Sequence, residues 1–336
     1  MEIRKVQITG GSSYIVSLPK QWIRSTKIQK NDPVGLIVQP DGSLLITPKI
    51  GGESLQRVRV FEVGASADRT SLLRLLVGAY VAGFTAIHIE ARDRMPQFVR
   101  QLVREFTQMT IGQEVVDETD SSIVIKDLLN PVEMPFENTI KRMHLLARGM
   151  QQDAMTAIRG RDAALAHDVI ARDTEVDRLH WLVARQENLI VIDAALSRRM
   201  DVTVSQAAYY FQVSRIVERI ADHATQVAHN ANALIDREAG GTAMVGAMDE
   251  ASTLALEIFS ESMGALYTGD VRKANATLQM VRDLEMKTRD IDTRALDLEA
   301  VAAIPIGQIS ASIRRIGEYS GDICECVINY TVGQAL

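Results

Sequence analysis

The chain has 336 residues, 46% of them apolar and 24% charged, with a formal net charge of −6 and two cysteines. This length argues for two or three folded units, and the composition excludes a disordered tail, a collagen-like repeat and a disulfide-stapled scaffold, so the cytoplasm is the expected compartment. No run of about 18 apolar residues offers a membrane span, and the polar opening MEIRKVQITGG predicts no secretory leader.

Residues 1–50 hold seven Lys or Arg against three Asp or Glu, whereas residues 51–135 sum to −3 and residues 136–336 to −7. A small basic module joined to an acidic body points to a polyanionic partner for the module and to a body that nucleic acid repels. Short Ile-, Val-, Leu- and Thr-rich runs at 3–9, 13–18, 33–38 and 43–47 predict four strands. One short helix is expected between the second and third. GGSS and PDGS are turn signals between these runs, and Asp41-Gly42 marks a tight hairpin. So few large side chains in fifty residues sit near the lower limit for independent folding, which predicts dimerisation here.

Residues 54–133 read as a separate α/β unit of order β-α-β-α-β-β. Strands fall at 56–63, 85–91, 112–118 and 121–127, and helices open at Asp68 and near residue 95. Asp68 with Ser71 ahead of Leu72, Leu73, Leu75 and Leu76 is an N-cap signature. Gly51-Gly52 and Asn130-Pro131 are the linkers expected on either side. The unit contains no phosphate-binding loop, nucleophile or metal-ligand spacing.

From 136 to 304 there is no proline, and apolar residues recur at three- and four-residue spacing. Breaks at Gly160-Arg161, near 199–202, at Gly240-Gly241, at Thr268-Gly269 and at Ile304-Pro305 divide the region into six helices. A pattern occurs twice in it. Arg215-Ile-x-Glu218-x-x-x-Asp222 returns as Arg315-Ile-x-Glu318-x-x-x-Asp322, and Met155, Asp162, Ala166 and Ile170 return as Met263, Asp270, Ala274 and Leu278. The second copy is eight residues shorter between these blocks. Duplication of a three-helix unit accounts for the pattern. The fold class is therefore multi-domain α+β: a small strand-rich domain, an α/β middle domain, and a C-terminal all-α region of two pseudo-symmetric three-helix bundles. The expected divisions are 1–50, 54–133, 137–240 and 243–336.

Glu218 and Asp222, four apart, share a helix face, as do Asp173 and Asp177 one helix earlier. Like charges at this spacing are unfavourable unless a cation neutralises them, and hard, oxygen-preferring metals suit such a groove. A helical-wheel reading turns Glu218 and Asp222 outward, on the bundle surface. A di-iron carboxylate enzyme would need inward Glu residues and Glu-x-x-His pairs. None occurs on these helices, although His180 lies close to the carboxylate flank. No Ser/His/Asp or Cys/His arrangement is suggested, so no enzyme is predicted, and Cys324 and Cys326 read as core packing.

Residues 137–336 resemble the PhoU family of phosphate-uptake regulators, whose repeats carry D-x-x-x-A-x-x-x-[IVL]-x-x-D-x-x-[VI]-D followed by R-[IV]-x-E-x-x-x-D-H. The first copy matches at Asp162, Ala166, Ile170, Asp173, Val176, Asp177 and Arg215 to His223. The second departs: Val281 replaces Asp173, Glu285 replaces Asp177, and Ile323 follows Asp322. The first 50 residues resemble the AbrB/SpoVT swapped-hairpin DNA-binding fold through Tyr14 to Trp22, Lys30 to Val34, and the DGSLLITP string. Together these are similar to archaeal-type phosphate-uptake regulators. The resemblance implies a homodimer or higher oligomer bound to double-stranded operator DNA, and Arg4, Lys5, Lys20, Arg24 and Lys27 are the candidate contacts by charge and position. It further implies multinuclear iron or zinc, with magnesium as an alternative. A first site would use Asp173, Asp177, Glu218 and Asp222, and an incomplete second site Glu285, Glu318 and Asp322. Contact with a phosphate-transporter ATPase or a histidine kinase is also implied. Two functions follow: a transcriptional regulator of phosphate uptake, or an adaptor that restrains a phosphate transporter or its kinase without specific DNA binding.

Overall fold

A computed structural model describes residues 2–38, 42–48, 56–64, 67–235 and 241–334. Asp41, Gly51-Gly52 and Gly240 lie outside the described residues. The chain divides into two compact units, Met1–Leu55 and Gln56–Leu336.

In the first unit β1 (Gln7–Thr9) pairs antiparallel with β2 (Ser13–Ile15), and β3 (Gly35–Val38) with β4 (Leu44–Thr47); α1 (Lys20–Thr26) lies between the two pairs in sequence. Gly10 and Gly11 close the first hairpin at φ +61° and +81°, a region that residues with a Cβ enter only at a cost. Among the described residues of this unit only Ile37 is a buried large apolar side chain. Ile3, Val6, Ile8, Tyr14, Ile15, Val16, Leu36, Val38, Leu44 and Leu45 are all exposed.

The second unit opens with a sheet of order β5-β6-β8-β7, built from β5 (Val58–Val63), β6 (Ala86–Ala91), β7 (Gln113–Glu118) and β8 (Ser122–Asp127). β5 and β6 run parallel, and the other two pairings are antiparallel. The parallel pair requires a crossover, supplied by α2 (Arg69–Val81), whose N-cap Asp68 accepts a hydrogen bond from the Ser71 backbone N–H. Then α3 (Gln97–Met109) leads to the final hairpin. Ile87, Ile89, Ile123 and Ile125 point to one face and bury against Leu72, Leu76, Val99, Leu102 and Phe106 of the two helices. This is the expected element order. A 3₁₀ turn, Pro131–Glu133, capped by Asn130, leads onward.

The helical region comprises α4 (Phe136–Gly160), α5 (Ala163–Ile192), α6 (Ala194–Arg199), α7 (Val204–Ile235), α8 (Gly241–Thr268), α9 (Val271–Ala295) and α10 (Ala300–Gln334). Duplication is visible in the turns. Asp162 caps α5 and Asp270 caps α9, and the preceding left-handed residues, Arg161 and Gly269, occupy matching positions. The two copies share one apolar core: Ile140, Met150, Val217 and Ile220 of the first and Ile258, Phe259, Ile309 and Ile316 of the second belong to a single cluster.

Two helix boundaries differ from the sequence expectation. Asp193 accepts from the Ala195 and Leu196 backbone N–H groups and so starts the extra helix α6. The last break falls at 296–299 rather than at Ile304-Pro305, because Pro305 lies inside α10 and is buried there. Proline forfeits one backbone hydrogen bond at that point; packing of Ala302, Ile306 and Ile309 into the core holds the first turns of α10 in place.

Arg185 of α5, 1% exposed, joins the sheet to the helices. Its Nη2 and Nε donate to Asp127 Oδ2 at 2.5 and 3.1 Å, Nη2 also donates to the Phe84 carbonyl at 2.9 Å, and Nη1 donates to the Tyr80 carbonyl. One helical position later, Gln186 Nε2 donates to the carbonyls of Met134 and Pro131, at 2.7 and 3.2 Å. Gly83, at φ +83°, passes so close to this helix that a Cβ there would lie 2.8 Å from Leu189 Cδ2.

Candidate functional site

α5 brings Asp173 and Asp177 to the groove it forms with α7, and α7 brings Glu218 and Asp222. The buried stripe Val169, Val176 and Leu179 faces Ile216, Val217 and Ile220, which fixes the carboxylates at the margin of that contact. Asp173, Asp177 and Glu218 are half-buried and Asp222 is exposed. Glu218 therefore departs from its expected outward position: α7 packs against α4, α5 and α10 together, leaving little of its circumference to solvent.

These four groups act on one another. Loss of hydration first, then the charges of Asp222, Asp177 and Asp173, push Glu218 up to about 7, with Arg219 opposing. Asp177 rises to about 6 through burial and then through Asp173 and Asp222. Asp222 also rises to about 6, by desolvation and then Asp173, again opposed by Arg219. Asp173 is raised by burial, while Thr225 and His229 favour its charged form. Thr225 is itself buried, and its Oγ1 lacks a hydrogen-bond partner of good geometry. Burial, and for Asp177, Glu218 and Asp222 the charge of neighbouring carboxylates, thus favours the protonated forms of all four. Among the described residues, no three His, Cys, Asp or Glu side chains are arranged to hold one metal ion.

His180, three residues after Asp177, stacks on Phe211 at 5.7 Å, with Nδ1 3.1 Å from Ser214 Oγ. Burial, then Arg215, lowers it to about 4. It is therefore neutral at pH 7 and held within the packing. His223 packs against Tyr319, over whose ring the Arg219 guanidinium sits at 5.7 Å.

The corresponding residues of the second copy are arranged differently. Glu318 meets Arg315 Nη1 at 2.7 Å and Arg314 Nε at 3.7 Å, and Glu285 is exposed on α9. Asp322 is raised by desolvation and then by Glu325 and Glu318, against Arg219 and Arg315. Gly317 and Gly321 stand where the first copy has Val217 and Ala221. A Cβ on Gly317 would lie 2.2 Å from Leu284 Cδ2, and one on Gly321 would lie 3.6 Å from Val281, the residue in the place of Asp173. Cys324 and Cys326 are buried free thiols.

In the first unit all five candidate basic residues are exposed. Lys20, Arg24 and Lys27 fall at i, i+4 and i+7 of α1 and its C-cap, which places them on one helix face. Arg4, which precedes β1 as Lys5 does, is paired with Glu2 at 2.6 Å. The Arg185–Asp127 clasp has no counterpart in the sequence expectations. Its signal is a charged residue three after Leu182 and four before Leu189, within an apolar stripe.

The PhoU domain family model matches residues 140–231, and the model for the bacterial antitoxin MazE, antidote-toxin recognition, matches residues 7–53. The PhoU match covers the first copy, the one with four clustered carboxylates. Among solved structures, PhoU from Pseudomonas aeruginosa is similar at 20% identity and a TM-score of 0.50, over 59% of this chain and 96% of that one. The phosphate transport system regulatory protein PhoU from Streptococcus pneumoniae is similar at 14% identity and 0.51, over 59% and 94%. No curated protein matches the chain. No helix among the described residues is long and apolar enough to cross a membrane.

Proposed function

From a chain that carries a MazE/AbrB-type domain at residues 7–53 and a PhoU domain at 140–231, we infer a dimeric transcriptional regulator of phosphate uptake. The amino-terminal unit grips promoter DNA and the helical region transmits phosphate status. The observation that carries this reading is the state of the first unit: among its described large apolar side chains only Ile37 is buried and most are exposed, while Lys20, Arg24 and Lys27 share one face. A fold left so open is completed by a second copy, and pairing two such units doubles the basic surface offered to a duplex. Residues 54–133 serve as the module through which helical changes pass, since Arg185 and Gln186 fasten them to α5.

An anisotropy titration of the full chain on its own promoter and on random duplex, at several salt concentrations, tests this. Specific binding is expected, with a salt slope that becomes shallower in Lys20→Ala and Arg24→Ala by about one phosphate contact each. Equal affinity for both duplexes favours the second reading, an adaptor that acts on a phosphate transporter or its kinase by protein contact. That reading draws on the fold likeness to a phosphate transport system regulatory protein.

Asp173, Asp177, Glu218 and Asp222 suit an oxygen-preferring metal by donor type, their repulsion being what a cation would relieve, although no three of them converge on one point and loading would have to draw them together. Iron or zinc is the proposed occupant, with magnesium as the alternative. Elemental analysis of the purified protein is expected to find metal that Asp173→Ala and Asp222→Ala both reduce. Unchanged stoichiometry in both variants excludes the site. For the second copy, Glu285, Glu318 and Asp322 form the weaker proposal, because Arg314 and Arg315 already neutralise Glu318.

A further inference from the structure

The two copies part company where their second helix turns into their third. At the register that aligns Asp162 with Asp270, Ile190 corresponds to Leu298. Ile190 is 1% exposed, in a satellite core with Leu196 of α6, Phe136, Val183 and Ala207. The second copy is eight residues shorter in this stretch and has no counterpart of α6. Its turn leaves Leu296 82% exposed, Leu298 37% and Ile304 61%, with Val301 exposed beside them. Asp297 and Glu299 alternate with these side chains, and no Lys, Arg or His occurs between residues 295 and 313. The nearest cation, Arg294, is engaged by Asp290 and by the Ala243 carbonyl, each at 3.3 Å.

We propose that this apolar, acidic tip between α9 and α10 is a docking site for a basic amphipathic helix of a partner protein. The first copy carries its own example of what fits there. α6 is a short helix that buries Leu196 in the satellite core and bears Arg198 and Arg199 in its last turn. A partner helix of the same chemistry would set an apolar side chain among Leu296, Leu298 and Ile304 and direct its Lys or Arg toward Asp297 and Glu299. Opposite charges around an apolar centre give such a contact both its orientation and its specificity. An exposed apolar cluster with an acidic rim is also the pattern expected of an interaction surface rather than of an ordinary solvated turn. The inference goes beyond the proposed function and holds under either of its readings, because it requires no DNA contact from the first unit.

The test uses the full chain and a short fluorescent Leu/Lys amphipathic helical peptide as the probe, followed by anisotropy and by hydrogen exchange. Saturable binding is expected, with exchange slowed across residues 294–306. Leu296→Asp combined with Ile304→Asp changes only exposed positions, and an unchanged thermal midpoint checks that it folds. This variant is expected to weaken binding by about tenfold or more. Asp297→Lys with Glu299→Lys is expected to weaken it and to abolish its salt dependence. Protection confined to the Asp173 and Glu218 face, or equal affinity in both variants, overturns the proposal. So does absence of binding. Self-association of the wild type that the apolar variant abolishes assigns the tip to a second copy instead, and also overturns it.

Discussion

The two copies of the helical repeat descend from one pattern, and they differ in what each does with its polar positions. The first keeps four carboxylates crowded between α5 and α7, at an electrostatic cost visible in the raised Glu218, Asp177 and Asp222. The second replaces Asp173 with Val281, pairs Glu318 with two arginines, and substitutes glycines for Val217 and Ala221 so that α9 approaches α10 closely. At the clasp position the first has Arg185, fastened to the middle module, and the second has Thr293. Charge repulsion retained beside a docked module in the first copy stands against paired charges and tight packing in the second.

The largest expected effect breaks the clasp. Asp127→Ala leaves Arg185 buried with only carbonyl partners, and an uncompensated buried charge costs about 3–5 kcal/mol. Urea unfolding should show the loss, with destabilisation of the middle module relative to the helices by hydrogen exchange. Thr293→Ala, at the matching place, should change little. The next effect gives the second copy the side chain of the first. Gly317→Val places a Cβ against Leu284, and overpacking of this kind costs about 1–3 kcal/mol. A loss under about 0.5 kcal/mol would show that α9 moves aside freely, and the account of tight packing would then be wrong.

The carboxylates supply a pH-graded effect. Glu218 near 7 and Asp177 and Asp222 near 6 all stand above their unfolded values, so the native state binds more protons over the window from about pH 4 to 7. Stability of the metal-free protein is thus greatest at the acidic end of that window and declines as pH rises through it. Glu218→Gln should flatten the decline and raise the urea midpoint at pH 7.5. An unaltered slope would mean that the groove hydrates its charges fully. In the second copy Glu318→Gln should instead lower the midpoint slightly, since it removes the partner of Arg314 and Arg315.

Much of this organisation was legible in the sequence where local chemistry is decisive. The middle module was readable because strand alternation and the Asp68 cap are short-range signals, and the duplication because Arg-Ile-x-Glu-x-x-x-Asp recurs. α6 escaped: six residues after Asp193 are too few to establish a helical period. Proline breaks isolated helices, which points to a boundary at Pro305, but the core against which α10 packs outweighs that tendency. A wheel drawn for one helix turns Glu218 outward, whereas α7 has neighbours on three sides. Arg185 was invisible for the same reason, its partners lying in another module.

The smallest prediction concerns what the copies still share. Asp162 accepts from the Leu165 backbone N–H at 3.0 Å, and Asp270 accepts from Arg272 and Lys273 at 2.9 and 3.0 Å. Each follows a left-handed residue, Arg161 or Gly269, that reverses the chain into its cap. Replacing either aspartate with alanine leaves first-turn N–H groups unpaired, at about 1 kcal/mol. The two losses should agree closely if the framework has been conserved while the polar positions diverged. Asp270 bonds two N–H groups and Asp162 one, so any excess belongs to Asp270→Ala. An excess on Asp162→Ala would instead mean that its cap also supports the carboxylate groove, since α5 runs from that cap to Asp173, and divergence of the copies would then reach into the turn itself.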